Sequence, residues 1–422
     1  MTTREMADSI HAEVEALVIA CQEESASRTS PSHTHSDAVC SARDHLCETV
    51  VRLGHDHPAD LSEDRIHSIL RFAERPLFLT GVHKSGTTLF RNLFDGHSQL
   101  AVLPMDGGLS YKRMARARKA DPNATGRDVL QRFLLTTLLP RSPVSGRRAW
   151  VLGSAPGDIV PYIKMARIFF SLVQHQEPSV ASLFRALAGS YGSIRFGHDI
   201  PDHASWVYKS TLNIDEASDL AAAFEHARFL HIVRHPCAVY ASQKKRQPAK
   251  GRPLNPAYEL ASLLAGMAGG LRNQDRLGSS CYRTLRYCDL VEDPQTTMRD
   301  IAAFAGIRYE AILCEPTDGG IPAAPNTGHT GKHTKRGRVS SHTVAAWTNE
   351  LHPTEQQALK AYLGPAMALY GYPPIPGETK GVSQSIRALS LFYRGQEDVR
   401  QLRLRDVLSL RLRHRLPGAS PA

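Results

Sequence analysis

Cysteine is scarce in this chain: seven in 422 residues, at 21, 40, 47, 237, 281, 288 and 314, with no CxxC pair. An odd, scattered count excludes a disulfide framework and predicts reduced thiols in a reducing compartment. Cys40, Cys47, His55 and His57 stand close together in sequence but match no zinc-finger spacing, so an ordinary surface role is expected of them. Long apolar runs are missing too. No stretch approaches the roughly 20 apolar residues of a membrane span. The opening MTTREMADSIHAEVEAL carries acids where a secretory leader would be basic and then apolar. A cytoplasmic protein without a transmembrane segment is expected. Internal repeats and nucleic-acid-binding motifs are also absent, and Arg-rich runs are usually solvated faces.

What remains is an ordinary globular composition, 42% hydrophobic and 22% charged, enough for a large core in one α/β domain or two smaller ones. The formal net charge of +10 suits an anionic ligand, and by itself suits nucleic acid or an acidic membrane equally well.

Residues 1–74 read as a helical N-terminal extension. Ile10, Val14, Leu17 and Val18 recur at helical spacing, and the linker SASRTSPSHTHSD leads to a second helical stretch. The main domain is placed at 75–375. Its first segment, Pro76-Leu77-Phe78-Leu79-Thr80-Gly81, has the form of a buried parallel strand, and residues 89–95 follow as a helix. Residues 105–205 form a mostly helical insertion on the acceptor side. A helix at 217–226, a strand at 228–233 and a helix after Pro236 come next. Then follow a helix at 256–277, a strand at 282–287 and a helix at 297–305. Strands alternating with helices predict an α/β fold with a central parallel sheet flanked by helices. The tail, 376–422, is rich in Arg and Leu and reads as a basic amphipathic helix. Docking on the domain or on a second subunit is expected of it, with membrane-surface contact the alternative. The oligomeric state is not legible.

The most informative segment is Gly81-Val82-His83-Lys84-Ser85-Gly86-Thr87-Thr88. Between a strand and a helix, backbone N–H groups and the positive helix end make an anion site. Lys84 adds a charge, and the hydroxyls of Ser85, Thr87 and Thr88 add donors. Against the pattern G-x-x-x-x-G-K-[ST] the glycines fit, but Thr87 stands where the lysine belongs. A kinase or nucleotide hydrolase would also end a second strand in a metal-binding aspartate. Here that strand ends in Arg234, with His-Pro and Ser242 after it. An arginine so placed suits a terminal phosphate and not a cation. Together the two segments predict a nucleotide with two separate phosphate groups.

HKSGTT resembles the 5′-phosphosulfate loop of the sulfotransferase superfamily, and FLHIVRHPCAVYAS resembles its 3′-phosphate motif. LRYCDLVEDPQTTMRDIAAFAGI and RGRVSSHTVAAW are similar to two later segments of these enzymes. The resemblance spans about 76–350 and implies a P-loop-like fold. It also implies metal-free transfer of a sulfuryl group from 3′-phosphoadenosine-5′-phosphosulfate (PAPS), leaving the bisphosphate PAP. In that reading Lys84 stabilises the bridging oxygen. His83, Lys84, Ser85, Gly86, Thr87 and Thr88 form the 5′ loop. Arg234 and Ser242 take the 3′-phosphate, and Tyr287 packs near the adenine. Lys209, in VYKSTLN, corresponds to a lysine that neutralises the transferring group, although the proline that follows it in relatives is Ser-Thr-Leu here.

A general base is also needed. Asp106 occupies nearly the place of the family's glutamate, one carbon shorter; His83, His198 and His203 are the alternatives. The acceptor is expected to be a carbohydrate, glycolipid or small metabolite. Tyr162, Phe169, Phe170, Tyr191 and Trp206 are available either to stack on it or to fill the core. The competing functions are a P-loop kinase or nucleotide hydrolase and a non-catalytic anion-binding protein.

Overall fold

The computed structural model describes residues 1–27, 35–106, 108–120, 124–139, 150–324, 335–378 and 380–403. The far part of the basic tail lies outside them. Four helices precede the sheet: α1 (Thr3–Ser9), α2 (His11–Ser27), α3 (Asp37–Asp56) and α4 (Glu63–Ala73). β1 (Pro76–Thr80) leads through the turn 81–86 into α5 (Thr87–Phe94) and β2 (Leu100–Asp106). Between β2 and the next strand lie α6 (Tyr111–Ala120), α7 (Ala124–Thr137), α8 (Val160–Gln174) and α9 (Val180–Phe196), in the stretch expected as an insertion. β3 (Ser205–Lys209), α10 (Asn213–Ala223), β4 (Arg228–Val233), α11 (Pro236–Arg246), α12 (Pro256–Leu277) and β5 (Tyr282–Arg286) complete the sheet. After it come α13 (Tyr287–Glu292), α14 (Pro294–Ala305), the small hairpin β6 (Thr317–Asp318) and β7 (Ile321–Pro322), α15 (Trp347–Glu350), α16 (Pro353–Leu369) and α17 (Val382–Phe392).

Among the described residues the main sheet has five strands in the order β2-β3-β1-β4-β5, all parallel. It is the α/β architecture expected, a parallel sheet flanked by helices. Both faces of a parallel sheet are covered, so its strands are apolar throughout rather than alternating. β1 shows how the pleat divides its side chains. Phe78 joins Trp206, Phe229 and Tyr282 in the cluster on one face, while Leu77 and Leu79 join Leu230, Ile232 and the α5 residues Phe90 and Leu93 on the other. Phe78 stacks on Phe229 at 5.1 Å and meets Trp206 edge-on at 5.5 Å, a row of aromatics across three strands.

The helices before β1 share that first cluster with the insertion. Three glycines allow the contacts. A Cβ on Gly54 of α3 would lie 2.5 Å from Ala166 Cβ on α8. One on Gly189 of α9 would lie 2.5 Å from Ile69, and one on Gly192 would lie 2.3 Å from Phe72, both on α4. At the other end of the chain α17 packs on α16, burying Ile386 and Leu389. The tail's helical start is thus docked on the domain.

The structure corrects several boundaries. β2 and β3 are strands that the sequence pattern does not reveal. Pro104 lies within β2, and proline is tolerated in strands chiefly at sheet edges, which is where β2 lies. The helix expected at 217–226 runs from Asn213 to Ala223, and Tyr287 opens α13 rather than ending β5. No described helix is long and apolar enough to cross a membrane.

Candidate active site

Because every strand of the main sheet runs the same way, the segments after Thr80, Asp106, Lys209, Val233 and Arg286 all emerge on one edge. The chain leaves β1 for β2 on one side and leaves β4 for β5 on the other. That makes a topological switch point between β1 and β4, the crevice where open α/β sheets bind ligands.

The turn 81–86 lies there. Ser85 donates to Val82 O through both its N–H (3.1 Å) and its Oγ–H (2.7 Å), winding the chain tightly. A Cβ on Gly81 would come within 2.6 Å of Ile232 O. Lys84 (φ 70) and Gly86 (φ 98) take left-handed conformations. For a lysine this costs about 1 kcal/mol or more, and such strain gathers at functional sites. Gly86 is the N-cap of α5 and supplies no side-chain cap, which leaves the first-turn N–H groups facing the crevice for an anion. Gly266 on α12 seats the turn, since a Cβ there would come 2.1 Å from Val82 Cγ1.

Gly86 is also demanded by space, because a Cβ would lie 2.4 Å from Tyr287 Cδ2. Strain and overpacking together should make Gly86→Ala about 3 kcal/mol less stable. A thermal melt checks this, and an unchanged melting temperature would contradict the Gly86–Tyr287 packing.

Arg234 reaches back from the end of β4 to the same turn. Its Nη1 donates to Lys84 O and its Nη2 to Thr343 O, both at 3.1 Å. The guanidinium lies over the Tyr287 ring at 4.6 Å, and Tyr287 OH meets Thr343 Oγ1 at 3.3 Å. Its Nε is buried without a partner. Burial lowers the Arg234 pKa, against the opposing pull of Tyr287, Tyr372 and Glu350, but an arginine so perturbed stays cationic. Burial, and then the Arg234 charge, push neighbouring His235 down to about 4. It is therefore neutral at pH 7 and stacks on Trp347 at 4.6 Å. Its Nδ1 accepts from the Cys237 N–H at 3.3 Å, starting α11. Ser242 is half-buried on the second turn of that helix.

Asp106 and Lys209 come together on the other side of β1. They are register partners at the ends of β2 and β3. From Val102 to Asp106 β2 advances four positions while β3 advances two, Val207 to Lys209. The irregularity in the pairing brings the two ends level. Lys209 is buried. The backbone after it is tied to β1, with Ser210 N–H donating to Leu79 O at 3.0 Å and Asn213 Nδ2 to the same oxygen at 3.1 Å. The backbone after Asp106 is held as firmly. Tyr208 OH donates to Leu109 O (2.8 Å) and accepts from Leu109 N–H (3.2 Å). Glu216, buried on α10, accepts from the N–H groups of Tyr111 and Lys112 and from the Ser110 hydroxyl, capping α6 from outside.

Not every candidate belongs to this edge. His198 and His203 are exposed and precede β3, so they sit at the sheet's opposite edge, away from the turn. Neither is placed to act as a base there. His83 is exposed within the turn itself. Tyr162, Phe169, Phe170, Tyr191 and Trp206 are all buried. Tyr191 OH is bound to Val102 O and Trp206 Nε1 to Ala73 O, so these rings fill the core and are closed to an acceptor. Among the described residues no three His, Cys, Asp or Glu side chains gather as metal ligands. Thr343 and Glu216 leave no trace in the sequence pattern, since a lone threonine or glutamate more than fifty residues from its partners has no spacing to betray it.

The sequence profile of the sulfotransferase family matches residues 76–311, from the first residue of β1 past the end of α14. The chain belongs to the sulfotransferase family. The match takes in the turn, Asp106, Lys209, Arg234, Ser242 and Tyr287 alike. The curated proteins contain no match. Similar solved structures include the sulfotransferase domain of the Synechococcus PCC 7002 olefin synthase, at 16% identity and TM-score 0.44, covering 71% of this chain and 94% of that one. Another is a sulfotransferase from Alicyclobacillus acidocaldarius, at 15% identity and TM-score 0.34, covering 70% and 96%. A third is sulfotransferase STF9 from Mycobacterium avium, at 14% identity and TM-score 0.35, covering 92% and 97%.

Proposed function

We propose that this sulfotransferase moves a sulfuryl group from PAPS to an acceptor hydroxyl on a carbohydrate, glycolipid or small metabolite, without a metal, in the cytoplasm. The observation that carries this reading is the Arg234–Lys84 contact, which ties the strand-end arginine to the phosphate-type turn across the switch point. Two anion-binding groups at one crevice suit a donor with phosphates at both the 5′ and 3′ positions. The partnerless Nε of Arg234 and the uncapped start of α5 fit such a ligand, since buried donors demand acceptors.

In this mechanism Ser85 winds the turn through its two bonds to Val82 O, and the N–H groups of Gly86, Thr87 and Thr88, with the threonine hydroxyls, grip the 5′-phosphate. Arg234 and Ser242 grip the 3′-phosphate, and Tyr287 both carries Arg234 and borders the adenine. His83 lines the 5′ loop. The Asp106 carboxylate takes the acceptor proton as the hydroxyl oxygen attacks sulfur. The bond from sulfur to the 5′-phosphate oxygen breaks, and Lys84 balances the charge left on that oxygen. Lys209, beside Asp106 in register, balances the charge on the sulfuryl group in flight. The domain at 75–375 does this work, with 105–205 covering the acceptor side, 1–74 as N-terminal extension and 376–422 as basic tail.

Calorimetric titration tests the reading. PAP should bind in the absence of metal and ATP–Mg²⁺ should not; the reverse preference rejects a PAPS enzyme in favour of a nucleotide hydrolase or kinase. Removing one partner of a buried charge contact costs about 2 kcal/mol or more, so Arg234→Ala should weaken PAP binding about thirtyfold or more. Full affinity in that variant would mean the 3′-phosphate is held elsewhere.

A further inference from the structure

The sheet has a second edge, and it carries a cleft of its own. Arg75, Ser205, Arg228 and Cys281 stand at or next to the starts of β1, β3, β4 and β5, strands that are neighbours in the sheet. They line a cavity of about 340 Å³. The five residues of β1 separate it from the turn 81–86, a span of about 15 Å at the usual strand rise. Exposed Glu225 and His226 form its rim.

Its cations are left without partners. Among the described residues neither the Arg75 nor the Arg228 side chain makes a hydrogen bond or ion pair, and the Arg75 Nε is buried with nothing to receive its proton. The Arg228 guanidinium lies against Gly306, where a Cβ would come 2.4 Å from Nη1. Glu225, the one carboxylate in the lining, neutralises neither. A guanidinium donor taken out of water without an acceptor, as the Arg75 Nε is, is costly, and two arginines lining one cleft match a tetrahedral oxyanion. The volume exceeds that of a bare ion and falls in the range of small-molecule sites, about 300–1,000 Å³. We propose that this cleft binds a small organic anion carrying a phosphate or sulfate group, its oxygens held between Arg75 and Arg228, with the Ser205 hydroxyl beside them.

The test is calorimetric titration of the full chain with phenyl phosphate and with phenyl sulfate, whose difference identifies the preferred ester. At least one should bind saturably, and binding should persist in Arg234→Ala, which lacks the guanidinium of the other edge. Arg75→Gln and Arg228→Gln should each weaken it about tenfold or more. Absence of saturable binding overturns the proposal, as does binding lost in Arg234→Ala but kept in both glutamine variants. Should those variants fail to fold, labelling of wild-type Cys281 with N-ethylmaleimide decides. Cys281 is half-buried in the cleft, its Sγ donating to Ala227 O. The ligand should slow its modification several-fold and leave Cys21 unaffected; an unchanged Cys281 rate sinks the idea. Either failure leaves the PAP reading intact, because that is measured at the opposite edge.

Discussion

Lys84→Ala should lower kcat about a hundred- to a thousandfold, the usual loss when a donor aimed at developing charge is removed. Its effect on PAP affinity should be far smaller, because the backbone N–H groups of α5 and Arg234 remain. The backbone adds a sharper contrast. Lys84 holds a left-handed conformation that glycine adopts freely. Lys84→Gly should therefore be at least as stable as the wild type, with a gain of up to about 1 kcal/mol, and yet as inactive as the alanine variant. Thermal melts and single-turnover rates measured on the same preparations decide it. A Lys84→Gly chain that melts well below the wild type would show the strain argument to be wrong. One that keeps its rate would remove Lys84 from the chemistry.

Asp106→Asn should lower kcat by about a hundred- to ten-thousandfold, the range of general-base contributions, while PAP affinity holds. The sign of the pH effect follows from the role. A base works when deprotonated, so the wild-type rate should rise with pH through ionisation of this carboxyl, and the asparagine variant should lose that acid limb. Rate profiles for the two chains over the same pH range make the check. If the variant keeps both rate and limb, the base is another group. His83 is then next in line, because His198 and His203 start from the wrong edge of the sheet.

Much of this site is legible in the amino-acid pattern, for a definite reason. β1 and β4 are short apolar runs stopped by a glycine or an arginine, a pattern set by burial on both faces. The residues that follow them must emerge together once the strands are parallel. The turn and Arg234 can thus be paired from sequence, although only the fold shows Arg234 touching Lys84 O. The histidines illustrate the opposite case. His203 is close to Lys209 in sequence, but the five-residue strand that Lys209 ends carries the chain from one edge to the other. β2 is hidden because Pro104 and an irregular pairing break the pattern that marks a strand. The aromatic residues of the insertion read equally well as core or as acceptor platform, and only packing separates the two. Thr343 and Glu216 act through contacts made across long stretches of chain, which local periodicity does not encode.

The notches at Gly54, Gly189 and Gly192 have a consequence for which acceptor is taken. Backbones brought that close leave no slack, and one methyl group would already pry them apart. The opening helices and the insertion are bolted into a single block, which Trp206 Nε1 and Tyr191 OH pin to the sheet through Ala73 O and Val102 O. Such a block does not swing like a door. Acceptor preference should therefore be reshaped more readily by altering the connecting loops than by altering the helices above them.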